Sequence, residues 1–335
     1  MKVGVVGAGS WGTTLASLIA PRSETVLWAR EAEVADAVSN QHENPVFLPG
    51  FALSPALRAT NELEAVVRDA DVILVAVPSQ YFRSVIQAAR PFVPSDVDVV
   101  TVTKGLELGT WLRMTEVLDE ELGRDPSRVS VLSGPNLARE VMAGEPSATV
   151  IACQDMGRAE RLQRLLMTDS LRVYTNRDVV GCEVGGAVKN VLAIAAGIGD
   201  GLGYGWNTKA ALITRGLAEL TRLGVALGGE PMTFLGLAGN GDLVATCASP
   251  QSRNRHVGEE LGRGRSLAEI LRSMRMVAEG VETTPSVLGL ARRVGVEMPI
   301  AEQVGAVLAG EISAAEVVRP LMQREARPEF HGFTQ

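Results

Sequence analysis

The first dozen residues constrain the fold more than any other part of this 335-residue chain. Residues 2–6 form a short apolar run of β type, and Gly7-Ala8-Gly9-Ser10-Trp11-Gly12 follows at once. An amphipathic helical stretch, 13–19, comes next, and 25–29 reads as a second strand. Strand, G-x-G-x-x-G turn and helix in that order open a βαβ unit. The first glycine permits the tight turn, the second lets backbone approach a pyrophosphate, and the third lets helix pack closely on strand. Phosphate then meets the N–H groups of the helix N-terminus. The motif predicts a Rossmann-like dinucleotide-binding domain with Gly7, Gly9, Ser10, Trp11 and Gly12 at the cofactor. A plain glycine-rich turn is the competing reading, and the strand–helix–strand context argues against it. A secretory signal is rejected because the glycines interrupt any apolar core and no clean cleavage pattern follows.

The second strand ends in Trp28-Ala29-Arg30. NAD-selective sites usually offer a carboxylate here to the ribose hydroxyls, whereas arginine suits a 2′-phosphate. The reading favours NADP, or use of both NADP and NAD. Alternatively, Arg30 merely pairs with Glu31 or Glu33.

The β/α alternation continues. Residues 71–77 are an apolar run of the kind buried in a parallel sheet, followed by a helix at 81–89 and a strand at 97–102. A loop holding Lys104 leads to a helix at 111–122. Strand 129–132 runs into Ser133-Gly134-Pro135-Asn136 and a short helix, and strands 147–153 and 171–174 flank a helix at 157–167. Past Asn176 only helical windows appear, at 179–198, 209–227, 277–294 and 299–308. This predicts an α/β domain over 1–177 and an all-α domain over 178–335, within the two-domain expectation for this length.

Composition narrows the function. Hydrophobic residues make up 46% of the chain and mean hydropathy is +0.14, yet no run approaches the ~20 apolar residues of a membrane span. No membrane insertion is expected. A net charge of −7 opposes nonspecific nucleic-acid binding, while allowing a local cationic pocket for a phosphorylated metabolite. Cys153, Cys182 and Cys247 are odd in number and lack metal-type spacing, which fits a reducing cytosol and argues against structural zinc. His42, His256 and His331 lack supporting context, so no metal is expected and lysine is the better acid–base candidate.

One lysine is conspicuous. Lys189 and Asn190 sit between Val188 and Val191 in an apolar, glycine-punctuated helical stretch at 181–207. Partial burial there would favour the neutral amine that a general base requires. An exposed stripe that happens to contain Lys189 is the other reading. Downstream lie Gly239-Asn240-Gly241-Asp242, Thr246 and Ser252-Arg253-Asn254-Arg255. A guanidinium with Ser and Asn neighbours suits a phosphate; alone, the run also reads as a solvated charged segment.

Together, KGLE at 104–107, SGPN at 133–136, the long stretch 188–220, and GDLVATC with SRNR resemble the NAD(P)-dependent glycerol-3-phosphate dehydrogenases of bacterial type. The resemblance runs from Lys2 to about Pro299. It implies a cofactor-binding N-terminal domain, a helical substrate-binding and catalytic domain, a cytoplasmic homodimer, and supply of sn-glycerol 3-phosphate to phospholipid synthesis. Position by position, it implies that Lys189 is the proton acceptor and that Lys104 binds substrate near the nicotinamide. Gly134, Asn136, Asp242, Ser252, Arg253 and Asn254 would contact substrate. Ser10, Trp11, Arg30, Ala138, Val277 and Glu279 would contact cofactor, with Lys104 and Arg253 touching both ligands. On chemical grounds Asp242 would orient the ammonium of Lys189, Asn190 would orient either reacting group, and Thr246 would bridge to the lysine. Two departures stand out: Asn136, where many members have Ser, and Asn240, in a loop that often reads GLGDL.

The expected reaction is hydride transfer between sn-glycerol 3-phosphate and dihydroxyacetone phosphate. A related dehydrogenase of β-hydroxyacid type remains an alternative, separable because its substrate carries a carboxylate. A non-catalytic dinucleotide sensor is a second, separable because it binds cofactor without turnover.

Overall fold

The computed structural model describes residues 1–123, 125–274, 276–329 and 332, so His331 lies outside the described residues. The chain forms two compact units, one of residues 1–104 with 113–179, the other of 105–112 with the chain from 180 onward.

In the first unit one sheet holds β1 (Lys2–Val6), β2 (Glu24–Trp28), β3 (Arg58–Thr60), β4 (Val72–Val75), β5 (Asp98–Thr101), β6 (Val129–Ser133), β7 (Ser147–Cys153) and β8 (Leu171–Asn176). Their spatial order is 3-2-1-4-5-6-7-8. Every pairing is parallel except β6 with β7, which is antiparallel. Strands β4, β5 and β6 are buried at every residue, as central parallel strands covered on both faces must be. Strand order reverses between β1 and β4, so the loops leaving those strands border the crevice where doubly wound sheets bind ligands. The Gly7–Gly12 turn leaves β1 at this point.

Two local details differ from the sequence reading. The helix expected from 111 begins at Met114, because Trp111 has φ +62° and Arg113 caps it, its N–H donating to Glu116 Oε2 at 2.8 Å. Residues 105–112 group with the helical unit: Leu106 joins its core, and Ser286 Oγ donates to the Glu107 carbonyl at 3.1 Å.

Past β8, all regular elements among the described residues are helical. The helix Val179–Gly201 meets the length and hydropathy of a membrane span, with a window mean of 1.5, contrary to the sequence expectation. That window is 89% buried within the protein, so the apolarity is that of a core helix. Its glycines mark a close helix crossing. A Cβ on Gly197 would lie 2.0 Å from the Arg255 carbonyl, and one on Gly258 would lie 2.0 Å from the Ile194 carbonyl. Gly201 and Gly262 repeat the contact one turn on, with a Cβ at 2.2 Å from Glu259 O and at 2.6 Å from Ile198 O. Small residues four apart on both helices thus bring Val179–Gly201 against Arg253–Gly262.

Candidate active site

The first unit offers a backbone-built site. Gly7 has φ +116°, and a Cβ there would meet the Ala76 carbonyl at 2.7 Å. Gly12 must lack a side chain because its Cβ would sit 2.0 Å from the Gly7 carbonyl, the close helix–strand packing expected of the third glycine. Gly9 has no atom within 4 Å of its notional Cβ, so the backbone there faces open space. The helix Ser10–Ile19 begins with no acidic residue in its first turn and no side-chain cap, leaving its N–H groups for an anion. These features fit a dinucleotide pyrophosphate. The sequence reading missed the brace beneath the turn. Asn44, fully buried, donates to Ala8 O and Thr13 Oγ1, both at 2.9 Å, and accepts from Phe47 N at 3.0 Å. A separation of 36 residues from Ala8 leaves no local signal for it.

Around the same unit, Lys104 Nζ donates to the Gly134 carbonyl at 2.7 Å, joining two residues assigned by resemblance. Gly134 has φ +139°. Asn136 carries both amide atoms buried without partners among the described residues, and Ser133 Oγ and Trp11 Nε1 are in the same state. Such atoms cost free energy until a partner arrives, so each is suited to meet a polar ligand. Ser133 was not singled out from sequence. Ala138 opens the short helix Ala138–Met142. Arg30 pairs with Glu31 at 2.5 Å with its side chain 74% exposed, which is the alternative weighed for it. The pair presents both a guanidinium and a carboxylate beyond β2.

The second unit is built from buried side chains. Lys189 Nζ lies 2.9 Å from Asp242 Oδ1, with the two side chains 7% and 2% exposed. It donates to Thr246 Oγ1 at 2.7 Å, while that hydroxyl donates to the Asp242 carbonyl at 2.6 Å. Asp242 and Thr246 are one turn apart on the helix Asp242–Ala248 and present one face to the lysine. The exposed-stripe reading of Lys189 is therefore incorrect. A cation so enclosed is tolerable because a carboxylate and a hydroxyl meet it. Burial pushes the neighbouring Cys247 thiol up to about 12, so it stays protonated and is no nucleophile.

Beside the lysine, Asn254 Nδ2 donates to Asn190 Oδ1 at 2.9 Å, and Gly280 N donates to Asn254 Oδ1 at 2.9 Å. The amide of Asn254 is thus oriented from both ends. Gly280, also missed from sequence, has no room for a side chain: its Cβ would lie 2.6 Å from the Asn190 carbonyl. The Ser-Arg-Asn-Arg run does not act as one cluster. Ser252 caps its helix, accepting from Arg255 N at 3.2 Å. Arg255 is committed to Asp200, at 2.6 Å. Arg253, exposed at the first helical position, pairs with no carboxylate among the described residues. Val277 and Glu279 lie at the start of the helix Glu279–Arg293, next to Gly280 and in the second unit.

A doubly wound sheet with a glycine turn at its switch point, joined in one chain to a helical unit with a buried lysine–carboxylate pair, defines a dinucleotide-dependent dehydrogenase. Family models narrow this. Those for the N-terminus and the C-terminus of NAD-dependent glycerol-3-phosphate dehydrogenase match residues 2–159 and 178–319. Glycerol-3-phosphate dehydrogenase (NAD(P)+) 2 of Sphingopyxis alaskensis is 52% identical over 331 residues, 99% of each chain. The Thermobifida fusca enzyme of that name, without the final numeral, is 49% identical over 333 residues, again 99% of each. The crystal structure of glycerol-3-phosphate dehydrogenase from Coxiella burnetii, 39% identical, superposes with a TM-score of 0.91 over 96% of this chain and 99% of that one. The chain belongs to the NAD-dependent glycerol-3-phosphate dehydrogenase family.

Proposed function

We propose that this chain interconverts sn-glycerol 3-phosphate and dihydroxyacetone phosphate with NAD(P), and that Lys189 carries the proton. The buried Lys189–Asp242–Thr246 cluster is the observation that supports this reading most. Bound NADPH or NADH supplies the hydride, and the oxidised form accepts it. The Gly7–Gly12 turn and the Ser10–Ile19 helix N-terminus would hold the pyrophosphate, with Ser10, Trp11, Ala138, Val277, Glu279 and the Arg30–Glu31 pair at other parts of the cofactor. Oxidising a secondary alcohol requires removal of its hydroxyl proton as hydride leaves carbon, and reducing a ketone requires the reverse. In reduction, protonated Lys189 donates to the carbonyl oxygen as negative charge develops on it. Asp242 and Thr246 hold the ammonium in one direction, and Asn190, tied to Asn254, fixes the polar wall beside it. Arg253 offers a forked cation, paired with no carboxylate among the described residues, at a helix N-terminus, well matched to a phosphate ester. Lys104, Gly134 and Asn136 would complete substrate recognition, Lys104 and Arg253 reaching both ligands.

A cytoplasmic homodimer feeding phospholipid synthesis accords with the family resemblance. The test is the initial rate of NADPH oxidation with dihydroxyacetone phosphate, run beside NADH, dihydroxyacetone and a β-keto acid. Rapid oxidation with the phosphate ester alone is expected. Preference for the keto acid, or cofactor binding without turnover, would overturn the assignment.

A further inference from the structure

The helical unit contains a cavity of about 290 Å³ that none of the residues assigned above lines. Its walls come from the helices Val179–Gly201, Trp206–Ala226, Pro299–Leu308 and Val318–Met322. Most of the wall is aliphatic, with Ile198, Leu202, Leu212, Val304, Val317 and Leu321 facing the space. Besides the neutral Tyr204, Thr208 and Gln303, three cations line it: Arg215, Arg222 and Arg324 stand there against one lining carboxylate, Glu219. That carboxylate accepts from Ile300 N at 2.8 Å and Ala301 N at 3.3 Å, and burial raises it to about 7. Near neutrality it offsets only part of one positive charge. Arg324 is partnered by Glu297 at 2.7 Å, and Arg215 Nη1 donates to the Glu329 carbonyl at 2.8 Å. Arg222 is different: Nη2 reaches the Glu297 carbonyl at 3.3 Å, but Nη1 is buried with no partner among the described residues. Gln303 Oε1, on the same wall, is also buried and unpartnered among the described residues. Turned over, that amide presents a second donor. Unmet polar atoms beside an aliphatic chamber are the mark of an incomplete site.

We propose that this cavity binds a medium-chain monocarboxylate, with the carboxylate on Arg222 and Gln303 and the unbranched chain along the aliphatic wall. A cavity of roughly 150 Å³ accommodates benzene, so about twice that volume takes a chain of about ten carbons. The site is distinct from the dehydrogenase machinery and does not rest on the proposed reaction.

Decanoate binding is measured by calorimetry on the full chain, below the micellar concentration and without substrate or cofactor, so that the result is independent of turnover. One molecule per chain is expected. Affinity should rise about fourfold per methylene from hexanoate to decanoate and level off at dodecanoate. Decanol, which has no charge for Arg222, should bind at least tenfold more weakly. Leu321→Trp, which fills the chamber from its edge, and Arg222→Met, which removes the cation and keeps the stem, should each weaken decanoate at least tenfold. Thermal melting shows which variant is folded, and either suffices. No saturable binding, an affinity unchanged in the folded variants, affinity still climbing beyond dodecanoate, or a cavity closed by a second copy of the chain would each overturn the proposal.

Discussion

The glycine turn of the first unit and the lysine cluster of the second meet charge in opposite ways. Between Gly7 and Gly12 the pyrophosphate site is built mainly from backbone: the turn offers N–H groups, a helix N-terminus and the space that missing side chains leave. At Lys189 nearly everything is side chain, and the charge is already met inside the protein by Asp242 and Thr246. A backbone site is pre-organised and tolerant of which phosphate it holds. A side-chain cluster places one proton at one atom, where the chemistry requires it.

Charge held by backbone and charge held by an ion pair should therefore respond differently to perturbation. Glu219 is the sharpest case, since backbone N–H groups meet it where a cation meets Asp242. Its carboxyl is raised from 4.5 to about 7, so between those values the folded state keeps a proton that the unfolded state releases. Its contribution to stability is full below 4.5 and is lost as pH rises through 7. Glu219→Gln should remove that slope, worth about 3 kcal/mol, and urea unfolding from pH 5 to 8 reads it. A variant with the same slope would remove Glu219 as its source.

Next in size is Gly12→Val. With the Cβ 2.0 Å from the Gly7 carbonyl, backbone must shift, and a cost of about 2–3 kcal/mol should appear as a loss of NADPH affinity. Normal affinity would mean that the turn's shape is not what binds. Arg253→Ala tests the role assigned to an exposed charge of the second unit: the KM for dihydroxyacetone phosphate should rise by about 2 kcal/mol equivalent, or thirtyfold, with kcat little changed. An effect on cofactor affinity alone would reassign the residue. Smallest is Arg30→Asp, which should move the NADPH to NADH preference about tenfold toward NADH. An unchanged ratio would leave Glu31 as the residue that matters there.

The same contrast explains what the sequence made legible. A backbone-built site must use consecutive residues, so Gly7 to Gly12 could be read directly. The buried strands were equally clear, and β7 (Ser147–Cys153) and the helix Pro299–Leu308 matched to the residue, because hydrophobic periodicity is local. Strand β3 (Arg58–Thr60) escaped, being three residues long with no apolar alternation. In the second unit residue pattern alone offered Lys189 and Asp242 as separate features, and they were joined only once the family resemblance was drawn, because a pairing across 53 positions follows from helix packing. The Ser252–Arg255 run shows the limit most clearly. Successive helical residues point about 100° apart, so one capped, one faced outward, one turned inward to Asn190 and one bound Asp200. Asn44 and Gly280 support the two sites through contacts that leave no trace in their own neighbourhoods.

The most direct test of this division of labour is Lys189→Met, with NADPH affinity by fluorescence titration and the rate of NADPH oxidation by dihydroxyacetone phosphate measured on one folded preparation. The account predicts an affinity within about twofold of the parent and turnover lower by about a thousandfold. Turnover within tenfold of the parent would contradict it.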